Sequence, residues 1–148
     1  MSRTFYDTDF FRWTQEQAEA LRTKNFAALD LDHLAEEIED LGKAVRHAIE
    51  SHLERLLLHL LKWRYDPAQE PRRSWLLTVR HARRELAKLL DENPGLQYHP
   101  ERYLATAYRH IREDAAIETD LPLTTFPEVC PWPMAQVLDA DFLPEANA

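Results

Sequence analysis

Between Leu31 and Tyr65 the chain reads LDHLAEEIEDLGKAVRHAIESHLERLLLHLLKWRY, without a single proline. Leu31, Leu34, Ile38, Leu41, Val45, Ile49, His52, Leu56, His59 and Trp63 recur at steps of three and four. That spacing holds side chains on one face of an α-helix. Up to Val45 the helix is amphipathic, with Glu36, Glu39, Asp40 and Lys43 turned outward. Beyond His52 it carries Leu53, Leu56, Leu57, Leu58, Leu60 and Leu61, which cover nearly every direction. A helix apolar all round is enclosed by other elements, so its second half is expected at the centre of the fold. At ~1.5 Å per residue such a helix spans roughly 50 Å. A compact globule of this chain length is only about 40 Å across. Either the molecule is elongated or the helix bends, most cheaply at Gly42, and the unbroken stripe favours one rod.

The rest of the composition agrees with an all-helical chain. Its 148 residues include twenty-two Leu and eighteen Ala against eight Val plus Ile. Leu and Ala favour helix, whereas sheets draw on β-branched residues. The length suits one core, and residues 1–148 are expected to form a single helical domain. Only Gly42 and Gly95 are present, so no glycine-rich loop for a nucleotide phosphate can be written. Cys130 is the sole cysteine, which excludes an internal disulfide and points to a reducing compartment. The start, Met1-Ser2-Arg3-Thr4-Phe5, lacks the apolar stretch of a signal peptide. The most apolar run, Leu56 to Leu61, is too short for a membrane span. The expected setting is the cytoplasm.

Around the long helix, a first helix is expected from about Thr8 to Lys24, capped by Asp7 or Thr8, with Phe11, Ala18 and Leu21 inward. Asp30 offers an N-cap for the long helix. A third helix is expected from Ser74 to about Asn93, with Trp75, Val79, Ala82, Leu86 and Leu89 inward. Asn93-Pro94-Gly95 ends it. Pro100 suits the first position of a fourth, running to about Glu118. Residues 120–148 then bring Pro122, Pro127, Pro131 and Pro133, a mostly extended tail with one helical turn from Pro133 to Leu138. Phe126, Val129, Trp132, Met134 and Phe142 make that tail too apolar to stay free, so it should dock on the bundle. The fold class is thus an all-α bundle around one long central helix, about 31–65, with a proline-rich tail packed on it.

Charge is uneven. The net is −8, yet residues 62–88 hold eight basic side chains against three acidic ones. The simplest expectation is that this basic segment faces the acidic ones around it. Two sets of side chains carry chemistry. His33, Glu37 and Asp40 fall on one flank of the long helix and suit a transition metal by type. His33 and Asp40, however, lie seven residues apart, roughly 10 Å along the axis, so one ion needs ligands from elsewhere. Neither Glu-x-x-His nor His-Glu-x-x-His occurs. Arg73, Arg80, Arg84 and Lys88, with Arg83 beside them, form a basic face that could hold an anionic partner. No aromatics interleave with it to stack bases, so nucleic acid is not the expected partner. His52 and His59 read as core residues, as do the four tryptophans. Ser51 and Ser74 lack a nucleophile context, and Cys130 has no cationic neighbour in sequence.

Several stretches together resemble the bacterial family labelled domain of unknown function 29. They are Leu34-Ala35-Glu36-Glu37-Ile38-Glu39-Asp40-Leu41-Gly42, His59-Leu60-Leu61-Lys62-Trp63, Ser74-Trp75, and Leu121-Pro122 through Cys130-Pro131. The similarity extends from Phe10-Phe11-Arg12-Trp13 to Val137-Leu138-Asp139. It implies an all-helical cytoplasmic bacterial protein and brings no activity or catalytic residue with it.

The leading functional expectation is a non-catalytic interaction or structural protein, either a homodimer or bound to a protein partner, with no cofactor. One alternative is a metal-assisted enzyme or ligand-binding bundle using His33, Glu37 and Asp40. Another is a binder of an anionic partner through Arg73, Arg80, Arg84 and Lys88.

Overall fold

Five α-helices make up a computed structural model of the chain, which describes residues 4–68, 70–97 and 100–145. They are α1 (Phe10–Arg22), α2 (Leu31–Tyr65), α3 (Arg72–Glu92), α4 (Pro100–Thr119) and the short α5 (Met134–Leu138). Single 3-10 turns occur at Phe26–Ala28, Pro94–Gln97 and Leu123–Thr125, and no strand is found among the described residues. The all-α expectation therefore holds, and α2 runs unbroken through Gly42. A Cβ placed on Gly42 would meet nothing within 4 Å, so this glycine answers no packing demand.

Close packing divides the chain into two compact units, residues 1–44 and 45–148. In the first, α1 begins one or two residues later than expected, because Asp9 caps it by accepting from the Arg12 amide at 3.1 Å. At its other end Lys24 takes a left-handed φ of 58°, with Asn25 N bonded to Ala20 O and Lys24 N to Leu21 O. This is a Schellman closure built without glycine. The face α1 buries also differs from expectation. Trp13, Gln17 and Ala20 point inward, while Phe11 and Leu21 are exposed. The polar Gln17 outcompetes the apolar pair because it fixes the next turn. Its amide donates to Ala28 O at 3.2 Å and its oxygen accepts from the Asp30 amide at 2.7 Å.

The second unit holds the apolar core. Ile49, Leu53, Leu56, Leu57, Leu60 and Leu61 of α2 are fully buried. They join Val79, Ala82 and Leu86 of α3, and Leu104, Ala107, Tyr108, Ile111 and Ala115 of α4. The tail docks on the same cluster through Phe126, Met134 and Val137. Its backbone has few partners of its own, so side chains of the bundle supply them. Arg112 donates to Phe126 O and Leu123 O, the Tyr108 hydroxyl to Pro127 O, and Arg83 to Val137 O. Val129 departs from the expected docking and is exposed, and Trp63 and Trp132 are only half-buried. Asp120, at φ 55°, closes α4 as Lys24 closes α1, with Leu121 N reaching Ala116 O. The chain uses neither of its two glycines at a left-handed position.

Candidate functional site

In the first unit one carboxylate organises its surroundings. Asp30 Oδ2 accepts from the Trp13 indole at 3.0 Å, the Thr4 hydroxyl at 2.9 Å and His33 Nδ1 at 2.7 Å. A carboxylate only accepts, so His33 carries its proton on Nδ1. Burial alone would raise the Asp30 carboxyl, but the bonds from His33, Trp13 and Thr4 outweigh it and hold it below its usual range. The same bond to Asp30 raises His33 against the opposing effect of desolvation. Tyr6 stacks on the His33 ring, centroids 3.8 Å apart, and its hydroxyl donates to Glu37 Oε1 at 2.6 Å. That bond, with desolvation and the nearby acidic charge, pushes the Tyr6 hydroxyl up to about 12. The node ties the segment before α1, α1 itself and the first turns of α2 into one body.

This arrangement decides where the three proposed metal ligands go. His33 is turned to Asp30, Glu37 holds Tyr6, and Asp40 is exposed. Among the described residues no three His, Cys, Asp or Glu side chains converge as ligands of one ion. The node also governs which part of the apolar stripe is covered. Leu34 is half-buried, whereas Leu31, Ile38 and Leu41 are 66–69% exposed. The apolar stripe is thus open at these three positions. At 100° per residue they share one face of α2, bordered by Asp32 and Glu39 on one side and Glu37 on the other. Phe11 and Phe26 in the same unit are exposed as well. The unit carries ten acidic and five basic side chains.

The second unit places the basic set on α3. Arg73, Arg80, Arg84 and Lys88 are all exposed. Arg83 is buried, its Nε donating to Val137 O at 2.9 Å and its Nη1 lying 3.5 Å from Ala140 O. Arg80, Arg83 and Arg84 form one wall of a recess of about 600 Å³, with Leu138 and Leu143 of the tail opposite. Within this unit the basic segment meets the acidic one after it at Lys62, whose Nζ lies 3.3 Å from Glu118 Oε2. His110 Nδ1 also makes a hydrogen bond with Glu54 Oε1 at 2.9 Å.

A second recess, about 530 Å³, lies where Leu104, Tyr108 and Arg109 of α4 meet Cys130 and Trp132 of the tail. Burial raises the Cys130 thiol, whose Sγ–H donates to Trp132 O. The expected core histidines prove half-buried. His59 Nδ1–H donates to Arg55 O at 2.8 Å, and His52 lies 6.3 Å, centroid to centroid, from His81. Desolvation lowers both His52 and His59.

Sequence reasoning missed Asp30 as a hub, Gln17 as a clamp and Arg83 as a buried cation. A signal for Arg83 existed, since it adjoins Ala82 and lies four residues after Val79 on the inner face of α3. The spacing of Asp30 and His33, three residues apart, was another. Nothing local marks Gln17.

No helix among the described residues is long and apolar enough to cross a membrane. The family model described as Domain of unknown function DUF29 matches residues 5–143. No curated protein and no solved structure matches the chain.

Proposed function

The chain belongs to that family, whose description carries no activity, and from this premise we propose a non-catalytic interaction protein of the cytoplasm. Its docking surface is the exposed stripe of α2, and its occupant a basic amphipathic segment of a protein partner. The observation that carries the reading is the exposure of Leu31, Ile38 and Leu41 on one helical face with acidic side chains along both borders. Scattered exposed apolar residues need no explanation, but an aligned set on a regular helix offers a seam for another helix. Charge selects the occupant. A second copy would bring the same acidic borders against these, whereas Lys and Arg beside an apolar stripe would pair with them. The single, buried-leaning Cys130 fits a reducing compartment.

The test uses the full chain and two synthetic amphipathic helical peptides with Leu at the same three- and four-residue spacing, one with Lys and one with Glu at the flanking positions. The Lys peptide is expected to bind saturably, more weakly as salt rises, and to lose affinity about tenfold or more with Ile38→Glu plus Leu41→Glu. Equal binding of both peptides, or indifference to the two substitutions, overturns the reading. Light scattering of the protein alone covers the homodimer, because a stable dimer abolished by the same substitutions would make the occupant a second copy.

A further inference from the structure

Arg83 is the single buried cation among the described residues, and its bonding is incomplete. Its two contacts are neutral carbonyls, Val137 O and Ala140 O, the second at the outer limit of a hydrogen bond. Nη2 has no partner at all. No described carboxylate forms an ion pair with it. Asp139 and Asp141 act on it only through space. A buried guanidinium without a direct counter-charge is costly, and its field is screened less than that of a surface arginine. Arg80 and Arg84, four residues apart on α3, stand beside it with exposed side chains. Leu76, one turn before Arg80 on α3, and Leu138 and Leu143 of the tail opposite supply the apolar lining of the recess.

We propose that this recess binds a small organic oxyanion, its carboxylate or phosphate head held by Arg80 and Arg84 over the buried charge of Arg83, its short apolar body against Leu76, Leu138 and Leu143. Guanidinium groups suit such heads because their paired N–H donors match two oxygens at once. The apolar wall supplies the part of a binding site that a bare basic patch lacks. Asp141 also lines the recess and opposes an anion. That gives the proposal a signed consequence, since neutralising Asp141 must strengthen binding. The inference concerns a different surface from the stripe of α2 and stands or falls separately.

The experiment is an NMR titration of the full chain with hexanoate, hexyl phosphate, hexylammonium and inorganic phosphate. Hexanoate or hexyl phosphate is expected to shift the amides of Leu76, Ala87 and Leu143 saturably, and the stronger of the two identifies the head. Hexylammonium should leave them unmoved, and inorganic phosphate should bind at least about tenfold more weakly. Arg80→Ala with Arg84→Ala, both at exposed positions that the fold does not need, should weaken binding about tenfold or more, and Asp141→Asn should tighten it several-fold. Absence of saturable shifts, equal binding of hexylammonium, or indifference to the double substitution overturns the proposal. Inorganic phosphate binding as tightly as hexyl phosphate overturns the amphiphilic site.

Discussion

The two halves of α2 carry the same kind of apolar stripe and meet opposite fates. Past Val45, Ile49, Leu53, Leu56, Leu57, Leu60 and Leu61 lose all contact with solvent. Before it, Leu31, Ile38 and Leu41 keep about two-thirds of theirs. The first stretch is held by polar bonds converging on Asp30, the second by apolar area. A periodic stripe states which face a helix can bury; how much of it is covered depends on what the rest of the chain brings there. Where the chain brings α3, α4 and a docked tail, the stripe becomes core. Where it brings one short helix fastened by a carboxylate, most of the stripe is left as surface.

The largest expected contrast between the halves is in stability. Leu57→Ala should cost about 2–5 kcal/mol by opening a cavity in a sealed core, whereas Ile38→Ala should change stability by no more than about 0.5 kcal/mol. Denaturant unfolding of both variants measures the difference, and equal costs would erase the contrast. Asp30→Ala comes next. It leaves the buried Trp13 indole without an acceptor and should cost about 1–3 kcal/mol. Hydrogen exchange should show the loss concentrated in residues 10–40, and a uniform loss across the chain would contradict the role given to this carboxylate.

Gly42→Ala should stabilise by about 0.8–1 kcal/mol, since α2 gains a better helix former where no atom stands in the way. A destabilised variant would show that the first half of the stripe is covered after all. The pH dependence is subtler. Asp30, depressed when folded, contributes stability above the ordinary carboxylate range and loses it as pH falls through its folded value. His33, raised when folded, contributes fully below its ordinary 6.5 and loses its share as pH rises through the folded value. Protection of residues 10–40 should therefore peak between the carboxylate range and pH 6.5 and fall on either side, whereas the leucine core, which carries His52 and His59 lowered by desolvation, should lose protection only as pH falls below 6.5. Finally, the expectation of one domain over residues 1–148 is answered by calorimetry. Agreement of calorimetric and van't Hoff enthalpies supports a single cooperative fold, and two transitions would make the packing units independent.

Much of this architecture is written locally. The proline-free run from Leu31 to Tyr65, the stop at Asn93-Pro94-Gly95 and the start at Pro100 depend on backbone and side-chain preferences within a few residues, so they can be read without coordinates. The docked tail was legible too, because Phe126 and Met134 are too apolar to be left in water. The candidate surfaces were legible only as inventories. His33, Glu37 and Asp40 share a flank by helical arithmetic, yet the hydrogen bond that turns His33 away comes from Asp30, which also gathers Thr4 and Trp13. Arg80 and Arg84 were recognised as a basic face, but the buried Arg83 between them and the apolar wall opposite depend on residues Val137 to Leu143. Periodicity and capping act between neighbours in the chain, so order along the sequence suffices to read them. Exposure and the direction of a charged group are set by which distant segments arrive, and those meetings exist only once the chain has folded.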